Sequence, residues 1–180
     1  MSDLGHIGRE FLTWLWWTTE KSGPAVHIDG VGAVAITFAK RLQLSSLGAL
    51  REDSTVVSEA PSLADEARIA LKTGKKVAKA SLMLDLEERH FEVTVDAATF
   101  AFTGVKLPTV TRDHEAEQLA DRIAALDELE AIIDGLYLRF GELRKDAHQW
   151  HETRVAIHEW VRTFDSDGGQ AADREDGDLN

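Results

Sequence analysis

Residues 77–96, VAKASLMLDLEERHFEVTVD, decide the fold. Ala78, Ala80, Leu82, Leu84 and Leu86 alternate strictly with Lys79, Ser81, Met83, Asp85 and Glu87, and Phe91, Val93 and Val95 then alternate with Glu92, Thr94 and Asp96. A side-chain period of two belongs to a strand with one face buried and the other wet. Two antiparallel strands joined near Glu88 to His90 account for both runs. Downstream, Phe100 and Phe102 continue the alternation to Gly104, and Pro108 ends the β region. Upstream, Val26-His27-Ile28 leads into the turn dipeptide Asp29-Gly30, after which Val34, Ile36 and Phe38 share one side, so residues 26–38 read as a β-hairpin. Leu42 and Leu44 prolong it, Ser45 to Asp53 reads as a loop, and Thr55 to Ser58 as a further short strand. The expectation is an α+β fold built on an antiparallel sheet of about five to six strands.

The helical parts lie on either side of this sheet in the chain. GREFLTWLWW, residues 8–17, holds three of the five tryptophans. Wound as a helix it places Phe11 with Leu15, Leu12 with Trp16 and Thr13 with Trp17, each four residues apart, while Trp14 closes the remaining side. Such a helix must be covered on several faces, which makes Phe11, Trp14, Trp16 and Trp17 core or interface residues. Lys21-Ser22-Gly23-Pro24 ends it near Glu20. Pro61 to Asp65 places Ser62 as a cap three residues before an acid, ahead of a short amphipathic helix ending at Gly74. After Pro108 the period changes. Leu119, Leu126, Ile133 and Phe140 recur every seven residues, with Leu129, Leu136 and Leu143 three beyond the last three of them, so Asp113 to Leu143 reads as one heptad-patterned helix. Its roughly 30 residues would extend about 45 Å, longer than a small domain is wide. Leu119, Leu126, Leu129, Ile133, Leu136 and Phe140 are therefore the expected partner-binding seam, and a homo-oligomer or a protein partner is the expected occupant. A second helix, Ala147 to Phe164, folds back in an αα-hairpin with its turn at Lys145-Asp146. Asp165 to Asn180, with six acids and one arginine, reads as a disordered acidic tail. The expected division is 1–110 for the sheet domain with its Trp-rich helix, 111–164 for the helical hairpin, and 165–180 for the tail.

The chain has 180 residues, with 20 Lys+Arg against 32 Asp+Glu and a formal net charge of -12. That balance opposes direct attraction to nucleic acid or anionic lipid, so a DNA contact would need a local basic patch, for which Lys72, Lys75, Lys76 and Lys79 are the candidates. Cysteine is absent, which excludes disulfides, thiolate nucleophiles and Cys-ligated zinc and points to the cytoplasm. The Trp-rich run is too short for a membrane span, which takes about 20 residues. His148, His151, Glu152 and His158 form the candidate metal cluster, in which positions 148, 151 and 152 are one turn apart, at a spacing that matches no HExxH site. Paired carboxylates such as Glu87-Glu88 are surface pairs on an acidic protein. No nucleophile elbow, P-loop or dinucleotide fingerprint occurs, so neither a catalytic residue nor a cofactor is indicated.

Three segments carry a resemblance. GREFLTWLWWTTE (8–20), ARIALKTGKKVAKASLML (67–84) and FTGVKLP (102–108), in that order, resemble the C-terminal part of divergent bacterial recombination-associated RdgC-like proteins, whose longer members carry a further half before the corresponding helix. The resemblance implies a non-enzymatic interaction module of DNA metabolism, acting through a protein partner or a homo-oligomer. Two other readings rest on the residues alone. One is a self-associating structural protein of mobile-element origin, held by the heptad helix. The other is a metal-dependent hydrolase at the His148/His151 cluster.

Overall fold

The computed structural model describes residues 3–46, 52–109 and 114–164. Helix α1 (Asp3–Ser22) leads into the hairpin β1 (Ala25–Ile28) and β2 (Gly32–Ser45), followed by β3 (Asp53–Val57) and α2 (Asp65–Lys72). The meander β4 (Lys76–Leu86), β5 (Arg89–Asp96) and β6 (Phe102–Lys106) follows, then the helices α3 (Glu115–Lys145) and α4 (Ala147–Thr163). The fold is α+β. Its six strands form one antiparallel sheet in the order β1-β2-β4-β5-β6, with β3 also paired to β2. Strand β2 has 14 residues, long enough to serve two short neighbours on one edge: Gly32 to Ala35 pair with β1, and Arg41 to Ser45 pair with β3.

The period-two pattern sorts the sheet into two unlike faces. Val34, Ile36, Phe38, Leu42 and Leu44 of β2, Leu82, Leu84 and Leu86 of β4, and Phe91, Val93 and Val95 of β5 all point inward and are buried. The other face is polar and wet, as an antiparallel sheet allows. There Ser81 bonds Thr94 at 2.8 Å, His90 meets Asp85 at 2.7 Å, and Lys40 and Lys106 both grip Glu92.

Helix α1 covers the inner face and starts five residues earlier than the GREFLTWLWW pattern indicated. Phe11, Leu12, Trp14, Leu15 and Trp16 are buried, and Trp16 donates its indole N–H to Glu20 at 2.7 Å. Trp17 is half-buried, with the Lys21 ammonium 5.1 Å from its ring centroid. Helices α3 and α4 close over α1. Phe140 packs against Phe11, Trp14 and Trp150 at centroid distances of 5.6, 5.4 and 5.5 Å, and Trp160 meets Trp16 edge-on at 5.6 Å.

Four local expectations change. Ser62 does not cap a helix: residues 61–63 form a 3-10 turn, and Ala64 opens α2 with no side-chain cap bond. His90 belongs to β5, because the hairpin turns on Glu87 and Glu88, with Glu87 at a positive φ of 54°. The alternation does not run through Phe100, which also has a φ of 54° and ends a turn in which the Asp96 carboxylate accepts from the amide of Ala98 at 2.9 Å. The largest change concerns the heptad seam. Leu129, Ile133, Leu136 and Phe140 are buried within the chain's own core, so they are not available to a partner. The tail expectation for 165–180 and part of the loop expected over 45–53 lie outside the described residues.

Candidate functional site

Helix α3 is half inside the body and half outside it. From Leu129 onward Leu129, Ile132, Ile133, Leu136 and Phe140 enter the core while Leu138 stays exposed on the far side, and the Arg89 guanidinium meets Glu128 at 2.6 Å where the helix departs. Ahead of that point Leu119, Ile123 and Leu126 are 61%, 51% and 46% exposed. Positions i, i+4 and i+7 fall on one face of a helix, so the three make a continuous apolar stripe. Over residues 115–127 its flanks carry Glu115, Glu117, Asp121 and Asp127 against Arg122 alone. Two of the expected partner residues, Leu119 and Leu126, lie on this stripe. Ile123 completes it, and the heptad count passed over Ile123 because four plus three, rather than seven, places it there.

The four lysines proposed for nucleic-acid contact do not form one patch. Lys79 points to the wet face of the sheet and pairs with Asp96 at 3.6 Å. Lys72, Lys75 and Lys76 sit at the other side, on the rim of a cavity of about 580 Å³ between α1, the turn from α2 to β4, and α4. All three have partners within the chain. Lys75 donates to Ser54 at 2.9 Å with Glu52 at 3.8 Å, and Lys76 bonds Glu10 at 3.2 Å. Helix α4 supplies the opposite wall with Trp150, Ile157 and Val161, and beside them Arg154, His158 and Arg162 at four-residue spacing. Asp146 starts that helix, accepting from the amides of His148 and Gln149 at 3.0 Å each. It does for α4 what Ser62 does not do for α2.

Glu10, which the sequence reading did not single out, is a buried carboxylate in the cavity wall. Lys76 at 3.2 Å, Arg144 at 3.1 Å and His6 at 3.3 Å surround it. A charge buried in a Trp-rich helix must be paired, and this one is paired with two cations, Lys76 and Arg144. Its sequence signal was the Arg9-Glu10 dipeptide inside an otherwise apolar run.

The histidine cluster does not converge. His148 faces Glu152 across 3.5 Å with both side chains mostly exposed, and among the described residues no three His, Asp or Glu side chains gather as a metal site. On the sheet's wet face, hydrogen bonds from Lys40 and Lys106 hold the Glu92 carboxyl below its ordinary range. Burial pushes Asp96 up, but the amides of Ala98 and Thr99 and the Lys79 charge outweigh it and hold that carboxyl low as well. Both are thus fixed as carboxylates, the opposite of what a general acid needs. Among the described residues no helix is long and apolar enough to cross a membrane. Compared with known proteins, the chain matches no family model, no curated protein and no solved structure.

Proposed function

We propose that this protein is a non-enzymatic interaction module of DNA metabolism, RdgC-like in the sense its sequence resemblance implies, which acts in the cytoplasm through a protein partner docked on the outer half of α3. The stripe Leu119, Ile123 and Leu126 carries this reading, because an exposed i, i+4, i+7 apolar face is the signature of a helix that lies against another surface. The acids flanking it favour a partner with basic flanks. A second copy would set the same acids against each other. A basic partner also suits the nucleic-acid role, since the lysines Lys75, Lys76 and Lys79 are engaged within the chain and the net charge of -12 opposes phosphate.

The test titrates an amphipathic leucine/lysine helical peptide, and its leucine/glutamate counterpart, against the protein and against a variant with Leu119, Ile123 and Leu126 all changed to Ser. The basic peptide should bind, and the variant should lose about tenfold in affinity. Equal binding by the variant, or preference for the acidic peptide, sinks the reading. Light scattering should give the 19.9 kDa mass of one chain. A doubled mass that the same variant halves makes a second copy the occupant instead. The protein alone should leave duplex DNA unshifted in a gel, and a salt-sensitive shift would move the DNA contact onto this chain.

A further inference from the structure

We propose that the cavity between α1, the α2–β4 turn and α4 is a binding site for a small amphipathic anion, its carboxylate or phosphate head held by Arg154 and Arg162 and its apolar body by Trp150, Ile157 and Val161. The argument starts from charge. Acids outnumber Lys and Arg by 32 to 20 over the whole chain, yet the cavity lining reverses the sign, with Glu10 as its single acid beside Lys72, Lys75, Lys76, Arg154 and Arg162. Glu10 can offset only one of these charges, and its carboxylate is shared between Lys76 of that set and Arg144. The side chains of Arg154, His158 and Arg162 make no ion pair or hydrogen bond with another described residue. A concave surface concentrates such a field, so the cavity is a local attractor for anions on a protein that otherwise repels them.

The second part of the argument is shape. Helix α4 turns two adjacent stripes to the cavity: Trp150, Ile157 and Val161 form the apolar one, and Arg154, His158 and Arg162 the cationic one. Leu71 adds apolar surface from the opposite wall. About 580 Å³ lies within the range of small-molecule sites, which pair apolar walls with a few convergent polar groups. Guanidinium groups suit both head groups because their donors form a fork that matches carboxylate or phosphate oxygens. An inorganic anion alone would leave the apolar wall uncovered, and a neutral lipid would leave the arginines unpaired.

Isothermal titration with decanoate and decyl phosphate, below their micellar concentrations, tests this on the full chain. One site per chain is expected, with decanol and decylamine weaker by about tenfold, inorganic phosphate weaker by a similar factor, and Arg154→Gln/Arg162→Gln weaker by about tenfold for either anion. Both arginines are exposed, so circular dichroism and the melting temperature should be unchanged in that variant. Comparison of decanoate with decyl phosphate tells which head group the site prefers. Equal affinity for decanol, or for the arginine variant, overturns the proposal. Inorganic phosphate binding as tightly as decyl phosphate would overturn its amphipathic half, and many weak sites per chain would overturn it altogether.

Discussion

Among the described glycines, Gly8 has the closest backbone neighbour. A Cβ built there would stand 2.0 Å from the carbonyl oxygen of Ala97 and 2.8 Å from its carbonyl carbon, so α1 crosses the end of β5 backbone to backbone. Neither side can rotate away. Gly8→Ala should therefore destabilise by about 1–3 kcal/mol or more, the range for forcing atoms into a packed interior. Gly141 is the control: nothing lies within 4 Å of its Cβ position, and Gly141→Ala in α3 should stabilise by about 0.5–1 kcal/mol through helix propensity. Urea denaturation of both variants decides the point, and a neutral Gly8→Ala would refute the close crossing. Trp16 is a second residue-scale case. It is fully buried and bonded to Glu20, so Trp16→Ala should cost about 3–5 kcal/mol, a large share of a domain's stability, and a soluble variant with an unchanged melting temperature would contradict its place in the core. The burial of Phe11, Trp14 and Trp16 was legible in the sequence because an all-round apolar helix has nowhere else to go. The crossing at Gly8 was not, since a glycine in a helix leaves room for a close approach without indicating what fills it.

Helix α3 shows where pattern reading stops at the scale of an element. Its length and its turn at Lys145-Asp146 followed from the sequence, and so did the alternation that became β4 and β5. The seam did not divide as expected. A straight helix drifts only about 20° per heptad from a strict seven-residue repeat, so Leu126 keeps nearly the facing of Ile133, and it is exposed because the body that covers Ile133 and Phe140 does not reach that far along the helix. A periodicity also says nothing about where the covering body ends. Leu126→Glu should therefore leave the melting temperature nearly unchanged, whereas Leu136→Glu, which buries a charge, should prevent folding or cost several kcal/mol. Hydrogen exchange should follow the same boundary, with fast exchange before Asp127 and protection from Leu129 to Phe140. Equal losses from the two substitutions would mean that the outer half is also covered within the chain.

For the whole molecule, charge is the property that sequence reading handled least evenly. The total was plain from composition, but the basic cavity was not, because Lys72 to Lys76 and Arg154 to Arg162 are far apart in the chain and meet only when α4 folds back. The same uneven distribution sets how stability should respond to pH. From pH 7 toward the isoelectric point near 5.0, protonation relieves the mutual repulsion of a chain carrying -12, which favours the compact state. Glu92 and Asp96 act in the opposite sense. Their folded carboxyls sit below the ordinary values of 4.5 and 3.8, so the stability they contribute is fully present above those values and is lost as pH falls through the lowered ones. The two trends cross, and the melting temperature should peak between neutrality and about pH 5 rather than at pH 7, then fall on the acid side. The gain from Glu92 is modest because its pairs with Lys40 and Lys106 are partly exposed and screened by salt. Glu92→Gln combined with Asp96→Asn should lower stability at pH 7 and flatten the acid limb, with the difference from the unaltered protein shrinking as pH falls below the ordinary values of 4.5 and 3.8. A thermal scan across that range in low and high salt measures both effects. An acid limb equally steep in the double variant would show that other carboxylates control the loss.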